Sequence, residues 1–261
     1  MKNNSISILG CGWLGLPLGK HLNSHQYSVK GSTRTEEKYS LLKQSGILPY
    51  SIDISKKETD FTDFLETETL ICAFPSKDIE GHKHFISFIE RSVVKQVLFI
   101  SATSVYDPHP SPITESNPTN LSDLALIEQL YLQNPTFNTT LLRFGGLIGP
   151  KRNPGNFFKK GRSVKAAKSP INLIHLDDCI HIIHQIILQK CWNTILNACT
   201  DSHPSKYEFY GKMTLLTQQR TLHFDNESES PIKIISNKKL KNTLHYSFIH
   251  SHLMQLTLAN F

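Results

Sequence analysis

The sequence predicts an α/β fold with a doubly wound parallel sheet and a small C-terminal lobe. Apolar runs alternate with helical apolar stripes over the first two thirds of the chain, and a glycine-rich turn follows the first run. A chain of 261 residues can build one large sheet with an attached lobe. We assign residues 1–175 mainly to the sheet domain, to which a helix and strand at 176–198 return, and residues 199–261 mainly to the lobe.

Alternating strand and helix patterns define the predicted elements. Apolar runs of strand length lie at 5–9, 27–31, 47–53, 69–74, 96–101 and 139–143. Helical spacing between them predicts helices at 13–23, 36–45, 81–93 and 121–133. Strands joined through helices form a parallel sheet by right-handed crossovers. The clearest helix is 178–190, with a predicted core stripe of Cys179, Ile182, Ile183, Ile186 and Ile187.

Histidines on two of these helices raise the question of a metal site. His181 and His184 are one turn apart, but two histidines alone seldom bind a metal ion. We therefore predict no metal site and place both side chains on a partly exposed helix flank. His82 and His84 receive the same interpretation.

Sequence beyond the predicted sheet is more polar. The one apolar run after residue 200 is "IKIIS" at 232–236, and the helix-like "NKKLKNTL" follows it. The proline-rich stretch 107–120 predicts an extended surface loop between the fifth strand and the next helix.

Basic residues exceed acidic ones by 28 to 22, which gives a formal net charge of +6. Part of the excess lies in "KKGRSVKAAK", just after Lys151 and Arg152, at Lys159, Lys160, Arg162, Lys165 and Lys168. A solvated surface is the first interpretation, and contact with the phosphate of a small anionic substrate is the second. We expect no nucleic-acid partner, because the segment has no interleaved aromatic residues.

Cysteine usage and hydropathy predict a cytoplasmic protein without a membrane segment. The five cysteines are widely spaced and form no C-x-x-C pair, which is typical of a reducing compartment. No apolar run approaches the length of a membrane span. A lipoprotein signal ending at Cys11 is the alternative for the first residues. Only about five apolar-leaning residues precede that cysteine, whereas a signal needs roughly 7 to 15.

The glycine-rich turn is the strongest functional signal in the chain. In "SILGCGWLGLPLGKHL", Gly10, Gly12 and Gly15 lie between a predicted strand and a predicted helix. This Rossmann-type pattern gives a tight turn, a close approach to a pyrophosphate, and close packing of helix on strand. The helix start offers N–H groups to the phosphates. The turn therefore predicts a dinucleotide site formed by Gly10, Gly12, Trp13, Leu14 and Gly15, with a purely structural bend as the alternative.

The end of the second predicted strand favours NADP as the cofactor. A carboxylate about 20 residues after the turn would select NAD, but the chain has Ser32, Thr33 and Arg34 there. Arg34 and Lys38 are suited to clamp a 2′-phosphate, so NADP is the predicted cofactor and NAD the alternative. Ends of neighbouring strands add the remaining predicted cofactor contacts, Asp53, Phe74 and Pro75.

Motifs along nearly the whole chain resemble one known family. They are "ILGCGWLG" at the turn, "FISATSVYD" at the fifth strand, "LLRFGGLIGPKR" at the sixth, and then "INLIHLDDCIHII" and "ISNKKLKNTL". In this order they resemble the atypical extended short-chain dehydrogenase/reductases, the NAD-dependent epimerase/dehydratase-like branch with the YeeZ-type proteins. The resemblance implies a cofactor-binding sheet and a substrate lobe. It also allows a homodimer.

The resemblance implies a Ser or Thr, a Tyr and a Lys as catalytic groups, and none is present. Aligning the motifs places these positions at Ala102, Asn120 and Leu124. Tyr131 lies eleven residues beyond Asn120, which is roughly 16 Å along a helix and too far to substitute.

Several neighbours are candidates for the missing acid–base group. We name Thr103, Tyr106 and His175 first, and Asp107 and Asp123 after them. The structural alternatives are loop packing for Tyr106 and Asp107, a solvated helix start for Asp123 and a hydrogen-bonded strand position for His175. Regular strand geometry would point Thr103 to the side opposite residue 102, unless a bulge intervenes.

Two functions follow from the sequence. The first is an NADP-dependent oxidoreductase or epimerase-like enzyme with a non-standard active site, acting on a nucleotide-sugar or another phosphorylated small molecule. Its predicted substrate contacts are Arg143, Arg152 and His175. The second is a catalytically inactive regulatory or sensor protein that binds NAD(P).

Overall fold

The computed structural model describes residues 4–158, 161–225 and 227–261. Strands in these ranges are β1 (Ser5–Leu9), β2 (Ser28–Thr33), β3 (Ile47–Ser51), β4 (Thr69–Cys72), β5 (Gln96–Ala102), β6 (Asn138–Phe144), β7 (Gly146–Ile148), β8 (Leu173–His175) and β9 (Ile195–Ala198). The α-helices are α1 (Gly15–Ser24), α2 (Tyr39–Gln44), α3 (Ile79–Ile89), α4 (Asp123–Leu132), α5 (Leu176–Leu188), α6 (Lys206–Gln218) and α7 (Lys238–Leu244). Within the described ranges, no helix combines the length and apolar character needed to cross a bilayer.

Seven strands form one sheet in the order β3-β2-β1-β4-β5-β6-β9, and β7 pairs with β8. β1 pairs in parallel with both neighbours, so that Ile6 is opposite Val29 on one side and Thr69 on the other. The predicted α/β fold with a doubly wound parallel sheet is confirmed. Successive strands are added on one side of β1 up to β3 and on the other side from β4 onward, so the order reverses between β1 and β4. Ligands of such sheets usually bind at the carboxyl ends of the strands at this point.

Local hydrogen bonds explain where element boundaries differ from the sequence prediction. The third strand ends at Ser51 rather than residue 53, since Asp53 accepts the Ser55 N–H at 3.1 Å in a turn. Asp78 caps α3 by accepting the Gly81 N–H at 2.9 Å. The helix predicted at 36–45 is divided into a 3₁₀ turn, Glu36–Lys38, and α2. Helix α6 has no counterpart in the sequence prediction.

The chain forms two compact units that interleave along the sequence. Unit 1 comprises Met1–Ser101, Leu121–Leu142 and Ile183–Ile195, and unit 2 comprises Ala102–Asn120, Arg143–Ile182 and Leu196–Phe261. Each has an apolar interior. That of unit 1 includes Phe61, Phe64, Phe85, Phe99 and Tyr131, and that of unit 2 includes Ile148, Leu173, Phe209, Met213 and Leu253. The domain boundaries stated from the sequence stay a prediction.

Two histidines are buried, against expectation. His82 is 1% exposed and His184 is 7% exposed, so the partly exposed flank was wrong for both. Nδ1 of His82 lies 2.9 Å from the Tyr131 hydroxyl, and its ring stacks on Phe74. Burial lowers the pKa of His82 to about 4, which keeps its ring neutral at pH 7. His181 is exposed and His84 half-buried, as predicted.

A buried carboxylate holds the start of α5 to the C-terminal segment within unit 2. Asp178 is fully buried and accepts hydrogen bonds from the Tyr246 hydroxyl at 2.9 Å, the Ile249 N–H at 2.7 Å and the His250 N–H at 3.1 Å. Burial, with the neighbouring Asp178 charge, raises the pKa of Tyr246, so the phenol stays a donor. The carboxylate thus satisfies three donors at once.

Asp178→Ala should lower the free energy of unfolding by about 3 to 5 kcal/mol, because it leaves those three donors without their acceptor. Tyr246→Phe removes one hydroxyl only and should cost about 1 kcal/mol. Urea unfolding of both variants checks the difference. Equal losses would contradict the role assigned to the carboxylate.

Candidate functional site

Steric contact explains two of the three glycines in the turn between β1 and α1. Gly10 has φ of +99°, and a Cβ there would lie 2.7 Å from the Cβ of Phe74. A Cβ on Gly15 would lie 2.2 Å from the carbonyl oxygen of Gly10, far inside van der Waals contact. Both positions therefore need glycine for the turn and for the packing of α1 on β1.

Gly12 differs from its neighbours, because a Cβ at this position would meet no atom within 4 Å. The residue is exposed and faces open space at the start of α1. Among the described residues, no side chain caps this end of the helix. The Gly12 N–H donates to the Gly10 carbonyl at 2.9 Å, and the Leu16 N–H donates to the Gly12 carbonyl at 3.1 Å. The positive end of a helix dipole nevertheless favours an anion at a helix start. The turn therefore has the room and the favourable dipole that a pyrophosphate requires.

Ser32 fixes the glycine turn against the end of β2. Its Oγ accepts the Gly10 N–H at 2.8 Å, and its carbonyl accepts the Cys11 N–H at 2.8 Å. Ser32 is 2% exposed and Thr33 is 9% exposed. Ser32 therefore has a structural role in holding the glycine turn, besides the cofactor contact predicted for it.

Cationic side chains lie just beyond the end of β2. Arg34 and Lys38 are both exposed. A hydrogen bond from Ser55 is the main cause that lowers the pKa of Asp53, and the Arg34 charge contributes to the same shift. The charge of Arg34 thus acts on Asp53, which lies two residues beyond the end of β3. The ends of β2 and β3 present one carboxylate and two cations to solvent.

Phe74 lies beside the glycine turn, after β4. It is half-buried and stacks on His82 with ring centroids 5.4 Å apart. Pro75 is exposed, Trp13 half-buried, and the Leu14 side chain belongs to the core. At Leu14 only the backbone is therefore available to a ligand.

Residues at the positions implied for the catalytic triad carry out structural tasks. Ala102 ends β5, and Thr103, 7% exposed, begins a 3₁₀ turn. Asn120 precedes α4 rather than lying in it; its N–H donates to the Val105 carbonyl at 2.7 Å. The Tyr131 side chain is fully buried in unit 1.

Tyr106 and Arg143 form a buried pair in unit 2. The Tyr106 hydroxyl donates to Oδ1 of Asn197 at 3.0 Å and accepts from the Arg143 guanidinium at 2.5 Å. The guanidinium also lies over the phenol ring, 4.9 Å from its centroid. Both residues are 2% exposed. Burial raises the pKa of Tyr106 despite the opposing charge of Arg143, so the phenol is protonated at neutral pH.

His175 is also engaged inside unit 2. It is 2% exposed, its Nε2 lies 2.8 Å from the carbonyl oxygen of Asn260, and its Nδ1 lies 3.2 Å from the Asp177 N–H. Because the Asp177 N–H donates to Nδ1, that nitrogen is the acceptor, and Nε2 carries the proton of the ring. Both ring nitrogens have protein partners.

Arg152 is the predicted substrate contact that faces solvent. It lines a cavity of about 470 Å³ in unit 2, together with Lys151, Asn153, Asn156, Phe157 and Phe261. The sequence interpretation missed Asn156 and Phe261, and nothing in their local sequence marks them. Lys159 and Lys160 lie outside the described residues, while the exposed side chains of Arg162, Lys165 and Lys168 fit a solvated surface.

These features define a class: an α/β chain with a dinucleotide-type glycine turn at the point where a doubly wound sheet reverses. No model of a known protein family matches the chain. Protein YeeZ of Escherichia coli K12 is 28% identical over 93% of the chain and 95% of its own length. The predicted resemblance to YeeZ-type proteins is confirmed.

Two solved structures have a fold similar to that of this chain. One is a UDP-glucuronic acid 4-epimerase from Bacillus cereus in complex with UDP-glucuronic acid and NAD, at 17% identity and a TM-score of 0.77, covering 96% of this chain and 95% of that one. Another is a short-chain dehydrogenase/reductase superfamily protein from Agrobacterium tumefaciens with bound NAD, at 15% identity and a TM-score of 0.76, covering 96% and 95%. These likenesses establish the fold.

Gly15→Ala should destabilise the protein although alanine is the better helix former. The helix gains about 1 kcal/mol from alanine. Overpacking against the Gly10 carbonyl costs about 1 to 3 kcal/mol, at the upper end here because the atom met is backbone. We expect a net loss of about 2 kcal/mol for Gly15→Ala, and a change within about 0.5 kcal/mol for Gly12→Ala. Thermal unfolding measures both. Equal stability of the two variants would contradict the packing argument.

Proposed function

We propose that unit 1 binds a nicotinamide dinucleotide across the glycine turn. The observation that carries this proposal is the open space at Gly12 beside an uncapped helix start, between two glycines that packing requires. A pyrophosphate there would occupy the space beside Gly12 at the positive end of the α1 dipole, where no side chain acts as a cap. Both solved relatives described above have NAD bound, which supports the same class of cofactor.

NADP is the preferred form of this cofactor. The end of β2 lacks a carboxylate that would accept from a ribose 2′-hydroxyl, and Arg34 and Lys38 supply exposed cations in its place. A hydrogen bond to a charged group contributes about 1.5 to 3 kcal/mol. That range corresponds to a preference of about tenfold to a hundredfold. NAD is the alternative.

The chemistry that we propose is that of an oxidoreductase or epimerase-like enzyme acting on a nucleotide-sugar or another phosphorylated small molecule. The bound dinucleotide would supply a hydride acceptor or donor. Lys151 and Arg152 line a cavity and could bind the phosphate groups of the substrate. The backbone of Arg152 is anchored, since its N–H donates to the Gly149 carbonyl at 2.8 Å. The UDP-glucuronic acid bound by the Bacillus cereus relative supports this substrate class.

The acid–base group of such an enzyme is non-standard. Tyr106 and His175 are engaged in interior hydrogen bonds. The candidates carried forward are Thr103, just after β5, and the exposed carboxyl groups of Asp107 and Asp123. General acid–base catalysis typically contributes about 10²- to 10⁴-fold. An enzyme without an efficient group of this kind would be slow.

A regulatory or sensor protein that binds NADP without turning over a substrate is the second candidate. The observation that favours it is the replacement of all three implied catalytic groups, by Ala102, Asn120 and Leu124. None of these side chains can exchange a proton with a substrate at neutral pH.

Calorimetric titration with NADPH and NADH tests the cofactor. The protein should bind NADPH about tenfold to a hundredfold more tightly, and Arg34→Ala should remove most of that preference while leaving NADH binding unchanged. Lys43→Ala, which removes one exposed charge from α2, is the matched control and should change neither. Equal affinity for both coenzymes would refute the NADP preference. No affinity for either would refute the proposed function itself.

Incubation of the NADP+-loaded protein with a panel of UDP-sugars distinguishes enzyme from sensor, because a sugar hydroxyl carbon donates hydride to the oxidised coenzyme. NADPH fluorescence or epimerisation of the sugar above the rate without protein would support the enzyme, and Arg152→Ala should then raise KM more than it lowers kcat, because the residue binds phosphate in substrate and transition state alike. Neither product, with NADP+ binding intact, would favour the sensor.

A further inference from the structure

Three histidines from distant parts of the sequence meet within unit 1. His21 and His25 are at the C-terminal end of α1, and His184 is on α5. One ring nitrogen from each lies within 4.8 Å of the other two. We propose that these three side chains bind a divalent transition-metal ion, zinc in the first instance. The proposal does not depend on the function proposed above.

Spacing along α1 brings two ligands to one face of that helix. Residues four apart on a helix are neighbours on its surface, and here the rings of His21 and His25 lie with centroids 4.3 Å apart. His184 completes the group, with its ring centroid 4.9 Å from that of His21 and 4.5 Å from that of His25. Two helices thus contribute to a single cluster.

A backbone carbonyl orients His25 in the manner usual for metal ligands. Nδ1 of His25 lies 2.8 Å from the carbonyl oxygen of His21 and donates to it. This contact selects the tautomer with the lone pair on Nε2. Metal-binding histidines commonly donate their other ring N–H to a carbonyl or carboxylate, which fixes the ring and strengthens the ligand. The orientation of His25 is therefore already set.

The ring nitrogens of His21 and His184 are almost as far apart as two ligands of one tetrahedral metal ion. Nε2 of His21 lies 2.9 Å from Nδ1 of His184. At zinc–nitrogen distances of about 2.0 to 2.1 Å, neighbouring ligands of a tetrahedral ion lie ~3.4 Å apart. Metal binding would replace the shared proton of this pair and widen the contact by about half an ångström. For this pair, a small movement of each side chain is sufficient.

The ligand chemistry selects the class of ion. Three neutral imidazoles favour Zn²⁺, Co²⁺, Ni²⁺ or Cu²⁺ over Mg²⁺ and Ca²⁺, which prefer oxygen ligands. His184 is 7% exposed whereas His25 is exposed, so the cluster opens to solvent on one side. Water can occupy the fourth position of a tetrahedral ion there.

A second group of possible ligands, in unit 2, is less suited to a metal ion. Oδ2 of Asp177 lies 3.2 Å from Nδ1 of His175 and 3.0 Å from Nε2 of His250. The backbone N–H of Asp177 already donates to Nδ1 of His175, and Asn260 holds the other nitrogen. A metal ion would have to displace an existing donor. This cluster is better described as a hydrogen-bonded network.

Zinc titration of the full chain, without a histidine tag and after treatment with a chelator, tests the proposal. We expect binding of about one equivalent with three histidine ligands, and a higher Tm with zinc than without it. Co²⁺ at the same site should give the intense visible absorption of a tetrahedral ion. His25→Ala should weaken zinc binding by about tenfold or more, since even outer partners of metal ligands are worth ~10- to 100-fold.

Matched variants make the test specific. His25 is exposed, so His25→Ala should fold, and His21→Ala provides an independent ligand loss from the same helix. His223→Ala removes an exposed histidine outside the cluster and should leave zinc affinity unchanged. The proposal is overturned if the chain binds no zinc, if His25→Ala and His223→Ala bind it equally, or if Asp177→Asn abolishes binding while His25→Ala does not.

Discussion

The contact between Gly15 and the carbonyl of Gly10 is the constraint on which the glycine turn and the proposed dinucleotide site depend. Because no Cβ fits between them, α1 starts directly against the end of β1. The helix start is then held at the reversal point of the sheet, with Ser32 bonded to the turn from β2. A bulkier residue at position 15 would push the start of α1 away from the end of β1, and so away from the reversal point of the sheet.

Patterns that are local in sequence were sufficient to predict the sheet. Each strand and the helix that follows it can be recognised from apolar periodicity over about ten residues. The glycine turn is equally local, because its meaning depends only on the strand before it and the helix after it. Errors at boundaries arose where a side chain captured a backbone N–H, as Asp53 does after β3 and Asp78 before α3. A single hydrogen bond of this kind decides where the element begins or ends, and the apolar periodicity of the sequence does not reveal it.

Contacts between distant segments could not be predicted in the same way. His184 was interpreted from its own helix, on which only His181 is a neighbouring histidine, while His21 lies 163 residues away. Tyr106 and Arg143 each look like a functional residue in isolation, and only the fold shows that they satisfy one another. In a sequence, a polar residue such as one of these can be either a functional residue or a partner in an interior hydrogen bond. Only the tertiary structure distinguishes the two.

Asn120 shows what a return of tyrosine to the position implied by the resemblance would require. Its side-chain amide donates to the Ser104 carbonyl at 3.0 Å and reaches a carboxylate oxygen of Asp107 at 3.4 Å, which ties the entry to α4 to the loop after β5. Tyrosine at position 120 could make neither bond, because its hydroxyl lies far from its backbone. A phenol at this position would therefore leave the Ser104 carbonyl and the Asp107 carboxylate without their shared donor, and the loop after β5 would have to be rebuilt around it.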